Sequence, residues 1–178
     1  LIKEGKVRHL GVSEITAAQL RHVNTLYPVT ALEIGYSLAD RQIESDLLPA
    51  AKELGVGVVA FANTAEGLLT GVMKAPLPAN SYHSHFTRFQ GENLVKNLEK
   101  VEELKKMANE KGCTPTQLAI AWVNTQGNHI MPLVSMSTRS RLPENIRAME
   151  IEFTTEERNT LNTHFSPGAI LGGTYLQR

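Results

Sequence analysis

The run Val56-Gly57-Val58-Val59-Ala60-Phe61 constrains the fold more than any other part of the chain. It is apolar without alternation and follows directly on Gly55, a glycine placed to end a helix as its C-terminal cap. A strand with one wet face alternates apolar and polar residues, whereas an unbroken apolar run predicts a strand buried on both faces, as in a parallel sheet between layers. Parallel strands cannot be joined by hairpins and need crossover connections, usually helices.

Such connections are legible on either side. A first strand is predicted over residues 6–12, with Val7, Leu10 and Val12 apolar and Ser13 at its end. Its helix opens with a capping box, Thr16 and Gln19, and places Leu20 and Val23 on one face. A second strand over 30–37 precedes a helix over about 44–54. The third strand, 56–61, leads into a long irregular stretch, 62–92, rich in Gly, Pro, Ser and His; loops of this length are uncommon unless functional. An amphipathic helix is predicted over 93–111, with Leu94, Leu98, Val101, Leu104, Met107 and Ala108 on one stripe. The next opens at Thr114-Pro115-Thr116-Gln117, a capping box with proline at the first helical position. A fourth strand over 129–134 is followed by a helix over 139–149. Thr154 and Glu157 cap a terminal helix containing Leu161, and the tail from Ser166 is Gly-rich and irregular.

Four strand–helix units in sequence predict an α/β fold with a parallel sheet and right-handed crossovers. They amount to half of a TIM-type (β/α)₈ barrel, which typically needs about 250 residues, so the 178 residues read as a single partial domain. An isolated half leaves two unpaired sheet edges and an apolar inner face. The expectation is that a missing N-terminal half or a second chain supplies the rest. The opening Leu1-Ile2-Lys3-Glu4-Gly5-Lys6 reads like the end of a helix entering a strand, which again suggests a fragment of something longer.

Composition narrows the function classes. Eighteen basic residues balance eighteen acidic ones, so no nucleic-acid partner is expected. No apolar run approaches the roughly 20 residues of a membrane helix, so no membrane partner is expected. The single cysteine, Cys113, leaves no intrachain disulfide or cysteine-based zinc cluster and fits a reducing, cytoplasmic setting. His83 and His85 share the long loop with Tyr82, but His-X-His without further ligands predicts no metal site.

Four strings in order resemble the aldo-keto reductase family. Glu4-Gly5-Lys6-Val7-Arg8-His9-Leu10-Gly11-Val12-Ser13-Glu14 is similar to that family's EGKVRxIGVSN or GLSE at the fifth strand. Ile34-Gly35-Tyr36-Ser37-Leu38 resembles QxxYSL at the sixth. VAFANTAEGLLTG, from Val59 to Gly71, resembles AYSPLGRGLLTG, and Arg141-Leu142-Pro143-Glu144-Asn145 resembles the terminal RLxEN. Phe89 to Asn93 (FQGEN), Thr114 to Val123 (TPTQLAIAWV) and Phe165 to Ala169 (FSPGA) support them. The likeness runs nearly the whole chain and implies its C-terminal half, the fifth to eighth strand–helix units.

The resemblance implies a reductase that passes hydride from NADPH to a small-molecule carbonyl, aldehyde or ketone; NAD is not excluded as cofactor. It places Ser13 and Glu14 at the nicotinamide carboxamide. Glu33 stands where the family usually carries Gln, and a carboxylate cannot donate as an amide does unless protonated. Phe61 stands at the position of a tyrosine that stacks on nicotinamide, a role needing only the flat ring. Ala62, Asn63, Thr64, Glu66, Gly67 and Leu69 occupy the pyrophosphate loop, with Glu66 bringing a negative charge toward the phosphate. Ser135 and Ser137 fall where the adenosine 2′-phosphate is recognised, with Arg141 as a planar clamp for that phosphate or a stacking plane for adenine, Arg139 as a substitute cation, and Glu144 and Asn145 where adenine is contacted. Read without the family, Ser13 is a turn former, Phe61 a core aromatic, Glu33 a charge near a barrel mouth, and residues 139–145 a solvated helix face.

The family's chemistry uses an Asp-Tyr-Lys-His set on its first four strands and their loops, with the tyrosine as general acid. No residue here falls on those motifs, so no catalytic residue is expected in this chain, and the isolated chain is expected to be inactive. Two other readings remain: a non-catalytic nucleotide-binding or regulatory relative, and a truncated half-barrel that pairs with another chain.

Overall fold

The computed structural model describes residues 1–78 and 80–174. Its framework is a four-stranded, all-parallel sheet in the order β1-β2-β3-β4. The strands are β1 (Leu10–Ser13), β2 (Val29–Gly35), β3 (Gly57–Phe61) and β4 (Ile130–Pro132). Helices α1 (Ala17–Leu26) and α2 (Leu47–Glu53) make the first two crossovers. Two helices, α3 (Gly91–Glu110) and α4 (Pro115–Asn124), lie between β3 and β4. After β4 come α5 (Arg141–Arg147) and α6 (Thr155–His164). All three predicted capping boxes form, at Thr16, Thr114 and Thr154, each with its hydroxyl accepting from the amide three residues on.

Strand register sorts the sheet residues onto two faces. Val12, Leu32, Val58 and Ile130 are aligned across the four strands, with Ile34 and Ala60 paired one step further along the same face. From β2 to β4 this face is buried, Leu32 and Ala60 completely, under helices that add Leu20, Ala50, Ala51, Leu118, Trp122 and Leu161 to the core. The other face holds Ser13, Glu33, Val59 and Met131 in register, with Phe61 beyond Val59. Ser13, Glu33 and Met131 are exposed, and Val59 and Phe61 are half-buried.

This corrects the expectation for 56–61. The strand forms, but Val59 and Phe61 on its second face are only half-buried, because among the described residues no second layer covers them. Other bounds also move. The first strand begins at Leu10 rather than residue 6, where pairing with Val29 becomes available; upstream, Gly5 sits at φ 71° in a turn closed by its amide on Ile2 and by the Lys6 amide on Leu1. The predicted helix 44–54 splits into a 3-10 turn, Gln42–Glu44, and α2. The helix expected over 139–149 is α5 continued by a 3-10 turn, Ala148–Glu150. The fourth strand shortens to three residues, since Pro132 lacks an N–H; Leu133 makes the next link, donating to the Ala60 carbonyl at 2.7 Å.

The long stretch 62–92 is held by three 3-10 turns, Leu68–Thr70, Tyr82–His85 and Thr87–Phe89. Leu68 and Leu69 are fully buried and anchor it to the core. The α3 stripe buries Leu94, Val101, Leu104 and Ala108, as predicted, together with a polar residue, Asn97. Asn97 donates to the carbonyls of Arg88 and Leu171 and accepts from the Leu171 amide, fastening the C-terminal segment. Residues 175–178 of the predicted irregular tail lie outside the described residues.

Candidate functional site

The C-terminal ends of all four parallel strands lie on the same side of the sheet, where ligands usually bind in parallel α/β sheets. Ser13 and Glu33 are register partners, and Phe61 pairs with Gly35. Backbone links stitch these ends together: Glu14 donates to the Glu33 carbonyl at 3.2 Å, and Tyr36 to the Phe61 carbonyl at 3.0 Å. Glu14 has φ 53°, and its carboxylate accepts from the Gly35 amide at 3.4 Å. Ser13, Glu14, Glu33 and Phe61 are thus brought together, three of them on the uncovered face.

The segment 62–67 leaves β3 immediately after Phe61 through left-handed residues: Ala62, Ala65, Glu66 and Gly67 have φ of 55°, 50°, 51° and 92°. For the three non-glycines this conformation is disfavoured and persists only where the surroundings hold it. Asn63 is one such hold. It is buried, and its side-chain amide donates to the carbonyls of Tyr36 and Ala60. The amides of Ala65, Gly67 and Leu69 close onto Ala62 and Thr64. Those of Asn63, Thr64 and Glu66 have no acceptor among the described residues, so this tight turn offers free donors of the kind that suit phosphate oxygens.

Glu66 points into the protein, not along the strand ends. Its side chain is nine-tenths buried, with Oε2 3.9 Å from Arg88 Nη1 and neither oxygen hydrogen-bonded. Burial first, and then the Asp40 carboxylate, push its pKa up to about 7 against the lowering influence of Arg88. Arg88 is fully buried and holds Asp40 with both terminal nitrogens, at 2.5 and 2.9 Å. This pair escapes a reading of the sequence: its members are 48 residues apart, and an Asp and an Arg in separate loops carry no local signal.

Beyond β4, Ser135 and Ser137 are exposed, and Arg141 donates to Ser137 Oγ at 3.3 Å, so two of the residues assigned to the 2′-phosphate stand side by side. Glu144 is engaged by the start of α4. The Glu144 carboxylate accepts from the Thr114 hydroxyl at 3.1 Å and its carbonyl from Gln117 at 2.8 Å, while Asn145 is buried.

Tyr36 is buried and donates to Glu44 at 2.7 Å; burial and then that bond raise its pKa far above the usual range. Tyr27 caps α1, and Tyr82 packs edge-on against Phe86. Tyr175 lies outside the described residues. His83 meets the Glu66 carbonyl and the Ser81 hydroxyl. Among the described residues no three His, Cys, Asp or Glu side chains gather as a metal set, and no helix is long and apolar enough to cross a membrane.

These features have known counterparts. The glycerol dehydrogenase from Gluconobacter oxydans matches the structure with a TM-score of 0.87 at 26% sequence identity, over 97% of this chain and 53% of that one. The chain therefore spans about half the length of that enzyme. The sequence model of the aldo/keto reductase family matches residues 1–165. With the match covering nearly the whole chain, and the parallel sheet and loop order in agreement, the chain belongs to the aldo/keto reductase family.

Proposed function

We propose that this chain is the cofactor-side, C-terminal half of a (β/α)₈-barrel reductase that interconverts a carbonyl compound and its alcohol with NADP(H). The observation that carries the reading is the placement of Ser13, Glu33 and Phe61 on the one sheet face without helices, at the strand ends, beside the donor-rich turn 62–67. The residues fit a nicotinamide nucleotide: a half-exposed aromatic ring for a planar base, free amides for a diphosphate, and a Ser137–Arg141 pair for a further phosphate. When bound, the cofactor would supply the hydride.

On this reading Ser13 and Glu14 hold the carboxamide and Phe61 gives the ring its stacking plane. The turn 62–67 takes the diphosphate through backbone donors, with Leu69 anchoring it in the core. Ser135, Ser137 and Arg141 take the 2′-phosphate, which favours NADP over NAD. Glu144, tied to the start of α4, and the buried Asn145 form the wall beside adenine. The proton donor comes from the other half of the barrel. That half, a further segment of the same protein or a second chain, covers Val59, Phe61 and Met131 and pairs with the free edges of β1 and β4.

Titration of the purified protein with NADPH, followed by cofactor fluorescence, tests the reading. Saturable binding that Phe61→Ala weakens is expected, and no binding at millimolar NADPH or NADH overturns it. A second reading, a nucleotide-binding relative without chemistry of its own, draws support from the acid at position 66. Turnover of small aldehydes or glycerol with NADPH or NADP, assayed on the protein together with the rest of the barrel, separates the two.

A further inference from the structure

Three loops meet at one buried charge cluster. Asp40 comes from the loop after β2, Glu66 from the turn after β3, and Arg88 from the 3-10 turn before α3. The C-terminal segment is fastened to the same place: Gly173 accepts from the Arg88 amide and donates to the Thr87 hydroxyl, and Gly172 packs directly on the Thr87–Arg88 backbone. Glu66 joins the turn to this cluster twice, through its carboxylate to Arg88 and through its carbonyl to His83 at 2.7 Å.

One guanidinium therefore faces two carboxylates. Asp40 takes both of its terminal nitrogens, leaving Glu66 buried with no hydrogen bond to either oxygen. A carboxylate so placed is costly when charged and comfortable when protonated. We propose that Glu66 is a pH-sensitive positioning residue, whose protonation seals the turn 62–67 onto the Arg88 segment and whose ionisation releases it. Among the described residues Asp40 and Arg88 are the charged groups that face it, and His83 is the only other titratable group bonded to its residue. For nucleotide binding the inference rests on the function proposed above: an ionised Glu66 sets negative charge behind the turn that takes the diphosphate.

The direction is fixed by linkage. With the sealed-state pKa near 7 and the ordinary value at 4.5, the seal is fully present below about pH 4.5. It weakens as pH rises toward 7 and has nothing further to lose above that. Hydrogen exchange of the hydrogen-bonded amides of Ala65, Gly67, Leu68 and Leu69, corrected for the intrinsic dependence of exchange on hydroxide, reads the seal directly. Protection is expected to fall at least tenfold from pH 5 to pH 7 and to level off above pH 8. In Glu66→Gln, which keeps the shape, protection is expected to be flat with pH, and in His83→Gln the wild-type profile is expected to persist. A flat wild-type profile, a sloping one in Glu66→Gln, or loss of the slope in His83→Gln overturns the proposal. NADPH affinity should weaken over the same range in wild type but not in Glu66→Gln. Absence of binding at every pH with the exchange profile intact counts against the function, not the positioning role.

Discussion

Arg88 and Asp40, 48 residues apart in sequence, form a fully buried, two-pronged ion pair that joins the loop after β2 to the segment leading into α3. Removing one partner takes the opposite charge away from the other in a dry site, which typically costs about 3–5 kcal/mol. Arg88→Met is therefore expected to lower unfolding stability by that order, whereas the double variant Arg88→Met/Asp40→Leu recovers much of the loss. Urea denaturation of the three proteins checks this; a double variant as unstable as the single one contradicts the electrostatic account.

Gly172 is predicted to tolerate no side chain. A Cβ there would lie 2.5 Å from the Arg88 nitrogen and 2.6 Å from the Thr87 carbonyl carbon, and its φ is 76°. Gly5 has a similar φ of 71° but nothing within 4 Å. Gly5→Ala should show only the left-handed penalty, about 1–2 kcal/mol. Gly172→Ala should cost clearly more, or detach the C-terminal segment and raise proteolysis there. Equal melting temperatures for the two variants, with equal protease resistance, rule the contact out as a constraint.

Thr114→Ala removes the hydroxyl that caps α4 and also the donor to Glu144. A lost N-cap costs about 1 kcal/mol, so a comparable loss is expected here. Because Glu144 also loses its partner, the effect should exceed that of Thr16→Ala, whose hydroxyl serves only its own exposed capping box. Thermal denaturation ranks the two, and the reverse order defeats the argument.

Phe61→Ala separates binding from stability. The ring is half-buried on the uncovered face, so truncation should cost less than the 3–5 kcal/mol of a fully buried phenylalanine. Loss of a stacking partner should weaken NADPH binding by about 5- to 10-fold, from the roughly 1 kcal/mol of an aromatic contact. Phe61→Tyr should bind as wild type. Unchanged NADPH affinity in Phe61→Ala removes the residue from the site.

Glu157 accepts from Lys111 at 2.7 and 2.8 Å and from the Thr154 amide, and the Lys111 bond first, then the backbone bond, hold its pKa below the ordinary carboxylate value. Its contribution is thus present above the unfolded pKa and lost as pH falls through the folded one. Stability should decline less steeply on acidification in Glu157→Gln than in wild type. Parallel acid-unfolding curves would show that the pair contributes nothing measurable.

Much of the scaffold is written in local residue order. The capping boxes at Thr16, Thr114 and Thr154 depend on residues three apart, and the α3 stripe on residues three and four apart, so short stretches of chain contain them. Strand bounds are less legible, because where β1 begins depends on a partner, Val29, that is local to another element. The candidate site divides the same way. Motifs single out Ser13, Glu33 and Phe61, but their common face follows from register. The engagement of Glu144 with Thr114 and Gln117 and the buried pinning role of Asn63 leave no trace in spacing.

By itself, then, the sequence determined the alternation of strands and helices, the three capped helix starts, and family membership, since each is carried by short-range pattern or by motif order. Only the tertiary structure decided which side chains share the uncovered sheet face and that Glu66 turns inward to share Arg88 with Asp40. Both depend on which distant segments pack together, and on the burial that makes an unpaired charge costly.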